Sequence, residues 1–99
     1  MQFFQLEHFA SYVNETFRVR IDQHGETDFV LVEAAPIPQG KLFPGMVRTP
    51  FSLLFRNESA VLFPQRIYDM THGKLGQFGV FLVPIARDKS GFVYQAVFN

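Results

Sequence analysis

Three histidines, His8, His24 and His72, are the first residues to weigh for metal binding or acid/base work, since a neutral imidazole can ligate a metal or carry a proton near neutral pH. None has a second ligand at helical or strand spacing. Asp22 with His24 and Asp69 with His72 are the two pairings close enough in sequence to meet on one side of a bent segment. Both fall at turns, where such residues are ordinarily solvated, so the chain is expected to hold no metal and no acid/base pair. Nucleophilic chemistry has little to build on. The serines Ser11, Ser52, Ser59 and Ser90 stand outside any Gly-x-Ser-x-Gly elbow, and cysteine is absent. Gly73-Lys74-Leu75-Gly76 lacks the spacing of a phosphate loop and reads as a turn. Arg18, Arg20, Arg56 and Arg66 would make a basic stripe if aligned, but alternating arginine is also how an exposed sheet face stays solvated.

The elements that would position these residues follow from the periodicity. Leu6, Phe9, Ala10 and Val13 recur at helical spacing, which predicts one short helix over about 6–14, stopped by Asn14 in the left-handed conformation. Phe3 and Phe4 before it are expected to pack down as a staple or a terminal strand. The period then changes to two. Phe17, Val19 and Ile21 alternate with arginines, and further strands are predicted at Phe29 to Ala34, Phe51 to Arg56, Arg66 to Thr71, Phe78 to Ile85 and Phe92 to Phe98. The last two form a hairpin across the polar break 86–91. Because Phe78 to Ile85 is apolar on both faces, it is expected to be a central strand covered on both sides. Tyr68 and Tyr94 are expected to bury their rings and bond their hydroxyls at the rim.

Between Ala35 and Pro50, four of the six prolines fall within sixteen residues, so a long loop is predicted. It is not polar like a flexible linker. Leu42, Phe43, Met46 and Val47 stand among the prolines, and these four are the expected partner-binding residues; the alternative is that they fold back as a lid on the core.

Ninety-nine residues make one domain, spanning 1–99, and a chain of this size buries roughly two thirds of its unfolded surface, enough for a single core. The fold class expected is all-β with one short N-terminal helix, a small antiparallel six-stranded barrel or sandwich. Thirteen phenylalanines and no tryptophan make the core phenylalanine-rich. Nine basic residues balance nine acidic ones, which removes the electrostatic footprint for nucleic acid or an anionic membrane. The start Met1-Gln2-Phe3-Phe4-Gln5 has no signal-peptide pattern and no apolar run reaches membrane-spanning length, so a cytoplasmic soluble protein is expected.

Several segments carry a resemblance across nearly the whole chain: Glu15-Thr16-Phe17-Arg18-Val19, Phe51-Ser52-Leu53-x-Phe55, Pro64-Gln65-x-x-Tyr68, Leu75-Gly76, Phe81-Leu82-Val83-Pro84 and the final Tyr94-x-Ala96-x-Phe98-Asn99. Together they resemble a family of small bacterial domain proteins of unknown function. The loop from Ala35 to Pro50 departs from that pattern, and Asn14 stands where relatives carry glycine. The resemblance implies no catalytic residues and no cofactor, and suggests an accessory to a phage-tail-like assembly. The residues themselves favour a non-catalytic structural or protein-interaction module with a protein partner or a second copy of itself. The alternative is a small-molecule barrel with a phenylalanine-lined pocket, catalytic or not. A pocket needs convergent polar groups, and the inward positions Phe17, Val19, Ile21, Phe51, Leu53 and Phe55 supply none.

Overall fold

A computed structural model describes residues 4–23, 25–37 and 50–98. A short helix, α1 (Leu6–Ala10), precedes six strands: β1 (Thr16–Asp22), β2 (Gly25–Pro36), β3 (Phe51–Asn57), β4 (Arg66–His72), β5 (Gly76–Asp88) and β6 (Gly91–Phe98). They close into an antiparallel barrel in the order β1-β2-β3-β6-β5-β4. Of the two architectures expected, barrel or sandwich, the chain adopts the barrel. Two three-stranded meanders, β1-β2-β3 and β4-β5-β6, are joined by the strap 58–65 and meet at two seams. The β3–β6 seam runs from Phe51 opposite Phe98 to Asn57 opposite Phe92. The β1–β4 seam is short, with Arg18 opposite Thr71, Val19 opposite Met70 and Arg20 opposite Asp69. Where that ladder stops, the Arg66 guanidinium donates to the Ile21 carbonyl and satisfies a main-chain group that has run out of partners.

Strand alternation sends one set of side chains inward, and in a barrel of six strands those side chains must fill the bore. Phe17, Val19, Phe29, Leu31, Phe51, Leu53, Phe55, Tyr68, Met70, Val80, Leu82, Tyr94 and Ala96 do so, all buried. The ladder between β5 and β6 stops at Val83 opposite Gln95, so the two strands diverge towards Phe78 and Phe98. Phe9 of α1 enters this opening. Its ring centroid lies 5.9 Å from Phe78, 5.6 Å from Phe98 and 5.9 Å from Phe51, and Phe51 stacks on Phe98 at 4.8 Å. Phe4 packs down on Phe9 and Phe78, as the staple reading expects; Phe3 lies outside the described residues.

The helix is shorter than its periodicity implies. Ala10 is exposed, and turns replace the helix from Ser11 to Asn14 before the chain enters β1. Asn14 takes the predicted left-handed conformation, φ 76°, and its N–H donates to the Leu31 carbonyl at 2.6 Å. The predicted loop also begins later than Ala35. Ala35 pairs with Ser52 and Pro36 with Phe51, since a proline at a strand's last position forfeits only one donor, and the Ile37 N–H then bonds the Pro50 carbonyl at 3.0 Å. The polar break between β5 and β6 shrinks likewise, because Ala86, Arg87 and Asp88 pair with β6 and leave only Lys89 and Ser90 in the turn.

One expectation about β5 is corrected. It has neighbours on both sides, β4 as far as Leu82 and β6 from Val83, but it is not covered on both faces. Phe81 and Ile85 point out of the barrel and are about half exposed, with no outer layer over them among the described residues.

Gly91 supplies a test of how the strap end is packed. Its φ of 143° suits glycine, and a Cβ there would come within 2.0 Å of the Asn57 carbonyl oxygen. Gly91→Ala is expected to cost about 2 kcal/mol or more, whereas Gly25→Ala, with open space around it, should stay within about 1 kcal/mol. Urea denaturation of the two variants checks the contrast.

Candidate functional site

Each residue with chemical potential is best judged by what already occupies its polar atoms. His72 lies on the inward phase set by Tyr68 and Met70, and its side chain is 4% exposed. Its Nε2 is 2.8 Å from the Glu15 carboxylate, while Nδ1 accepts the backbone N–H groups of Lys74 at 3.0 Å and Leu75 at 3.3 Å. Since Nδ1 accepts, Nε2 carries the hydrogen donated to Glu15. Tyr12 and Phe17 flank the imidazole, each at 4.5 Å between centroids. Both nitrogens are therefore committed to holding the β4–β5 turn and the exit of the helix. Asp69, the partner weighed from sequence, faces out of the barrel. The solvated-turn reading of His72 is also corrected, because the inward phase of β4 buries it. His8 is a helix-start residue, its Nδ1 accepting the Gln5 N–H at 2.7 Å. His24 lies outside the described residues. Among the described residues, no three His, Cys, Asp or Glu side chains gather as metal ligands.

At the strap end of the barrel a second polar group forms. Buried Asn57 donates to Thr27 Oγ1 and the Asp28 carbonyl, both at 2.9 Å, and accepts the Ser59 N–H at 2.9 Å. Tyr94 Oη accepts the Phe63 N–H at 2.9 Å, and Tyr68 Oη donates to the Pro64 carbonyl, so both tyrosines meet the expectation of buried rings with bonded hydroxyls. Burial pushes both phenols up; Arg66, whose guanidinium lies 4.6 Å over the Tyr68 ring, opposes this at Tyr68. Arg56 grips Asp88 with two hydrogen bonds, at 3.0 and 2.6 Å, and also donates to Ser90 Oγ. Two open depressions of about 530 and 510 Å³ flank Glu58 and Ser59, one bounded by the β5–β6 turn and the other by the outward side chains of β1 and β2. Arg56 and Asn57 along one, and Asp88 and Ser90 along the other, are already partnered.

The four arginines do not form a stripe. Arg18 pairs with Glu26 at 3.7 Å and Asp28 at 3.4 Å, Arg20 with Glu26 at 3.7 Å, and Arg56 and Arg66 have the partners just given. This is the solvated-face reading, located on the β1–β2 wall. The wall across the barrel is different. On β5 the outward residues Gly79, Phe81 and Val83 are uncharged, as are Val93, Gln95 and Val97 on β6 and Ile67 on β4, with the outward Asp69 of β4 at the margin beside β1. Ile67 pairs with Phe81 across the ladder, and the two are 70% and 48% exposed, with Ile85 and Val97 each at 49%. Sequence reading missed this surface, although the apolar outward phase of Phe78 to Ile85 was its signal. The expected partner-binding residues Leu42, Phe43, Met46 and Val47 lie outside the described residues.

The Arg56–Asp88 grip carries a pH signature. The Arg56 hydrogen bonds, with those from Ser90, lower the Asp88 carboxyl from its ordinary 3.8 to about 2. A carboxyl lowered by folding contributes stability that is present above about pH 4 and is lost as pH falls through about 2. The parent's denaturation midpoint should therefore fall between about pH 4 and pH 2 more steeply than that of Asp88→Asn. Equal slopes would show that the grip is not formed in solution.

Among the described residues no helix is long and apolar enough to cross a membrane. No curated protein and no solved structure matches the chain. The profile of a domain of unknown function, DUF6916, matches residues 4–98, which is all but the ends of the barrel chain, and the protein belongs to that family.

Proposed function

We propose that this domain is a non-catalytic protein-interaction module, a rigid barrel that presents the outer wall of β4, β5 and β6 to a protein partner. The observation that carries this reading is the exposed cross-strand pair Ile67 and Phe81, continuous with the uncharged outward positions of β5 and β6 from Gly79 to Val83 and from Val93 to Val97. Exposed apolar patches of about 300–600 Å² on monomers are often functional, and neither residue belongs to the buried core. The interior supports the same choice over a small-molecule barrel, since its inward positions are occupied by buried side chains. The polar groups that would otherwise suggest catalysis are committed to structure: His72 to Glu15 and its turn, Asn57 and both buried tyrosines to the strap. An accessory role in a phage-tail-like assembly is the setting that the resemblance of the chain suggests for such a module. A protein partner, and neither nucleic acid nor membrane, suits a chain of zero formal charge.

The test is retention of a protein from an extract of the native host by the immobilised domain. Ile67→Thr with Phe81→Thr keeps strand-forming residues and should abolish retention while changing stability by about 1 kcal/mol or less, as expected for surface positions. Retention that survives the double substitution would contradict the assignment of the wall.

A further inference from the structure

The partner can be named by its chemistry. We infer that the wall of β4, β5 and β6 is a self-association surface, on which the same wall of a second copy packs across a two-fold axis. This rests on the interaction reading above and specifies its occupant.

The first argument is charge. In an isologous contact each residue near the axis meets its own copy, so a charge there meets a like charge, while an apolar residue meets an apolar one. The outward positions from Gly79 to Val83 on β5 and from Val93 to Val97 on β6 carry no charge; the outward Asp69 of β4 lies at the margin, opposite Gly79 on one side and Arg20 of β1 on the other. The opposite wall, with Arg18, Arg20, Glu26 and Asp28, is dense in charge. A charged partner would find nothing to pair with on the outward positions from Gly79 to Val83 and from Val93 to Val97, and a formal charge of zero lets two copies approach without repulsion.

The second argument is area. Ile67, Phe81, Ile85 and Val97 expose between 48% and 70% of their surface, and with their half-buried neighbours they offer on the order of 500 Å² per copy. Two such walls reach about 1,000 Å² in total, the lower bound for a specific interface, so the dimer is a weak one.

The contact is face to face. Beyond Leu82 the β4 side of β5 has no paired strand, which would invite edge-to-edge pairing, but Pro84 lacks an N–H and the irregularity between Pro84 and Ala86, in the ladder with β6, bends the strand there. Both are devices that keep a strand edge from recruiting another strand, and neither obstructs packing on the outward face.

Sedimentation equilibrium from about 1 µM to about 500 µM should show the mean mass rising from 11.4 kDa towards twice that value. Phe81→Glu should weaken the association at least about tenfold by bringing two like charges together. Because the chain contains no cysteine, a single engineered thiol reports proximity without interference. Phe81→Cys should give a disulfide-linked dimer on mild oxidation, and Asp28→Cys on the opposite wall should not. The Cys variants also keep the question open to refutation if Phe81→Glu fails to fold. A parent that stays at 11.4 kDa throughout, or equal cross-linking from both walls, would overturn the inference. A monomeric parent whose wall still retains a different protein in the extract experiment would remove the second copy while leaving the interaction reading standing.

Discussion

The bore of a closed six-stranded barrel has a nearly fixed width, and filling it is the constraint from which the remaining features follow. Inward positions must be large, and most of the large ones here are phenylalanine and tyrosine. The filling fails at one place: β5 and β6 part company beyond Val83 and Gln95, and backbone pairing no longer holds the wall together. Phe9 restores contact there by packing against Phe51, Phe78 and Phe98. The helix is thus less an independent element than the mount for one ring, which is why five residues suffice for it.

With the bore filled by hydrocarbon, each buried polar group needs a partner, and the partners decide where the connections run. Tyr68 and Tyr94 keep their rings in the core and reach with their hydroxyls to Pro64 and Phe63, so the strap is laid across the barrel end by two hydrogen bonds. Asn57 ties the same strap to β2, and His72 does the equivalent service at the other connection by binding Glu15 and the turn after β4. These groups resemble a catalytic inventory when read from the sequence. In the fold each is consumed by the geometry it maintains.

What the sequence disclosed divides along the range of the interactions involved. Strand alternation, the left-handed Asn14 and the amphipathic tyrosines depend on neighbours in the chain or on the inside and outside of a sheet, and all three were legible. Closure was not, because the β1–β4 seam joins residues some fifty positions apart through three backbone pairs that leave no mark on composition. The Glu15–His72 pair spans 57 residues and the Arg56–Asp88 grip 32, beyond any spacing rule. The covering of β5 was misread for a different reason. A strand apolar on both faces looks the same in sequence whether its outer face lies under another layer or waits for another molecule, and only the fold separates Phe78, turned into the core, from Phe81, turned away from it.

The account depends most on the barrel being closed, since an open sheet would have no bore to fill and would not set the arginine-bearing face of β1 and β2 opposite the apolar one of β5 and β6. The β1–β4 seam is the place to look. Nuclear magnetic resonance of the domain should show cross-strand backbone contacts between Val19 and Met70, which are opposite one another in the ladder, together with slowed amide exchange within Arg18 to Arg20 and Asp69 to Thr71. If those contacts are missing and the amides on both strands exchange as fast as those of the exposed Lys89–Ser90 turn, the barrel is open and the account fails.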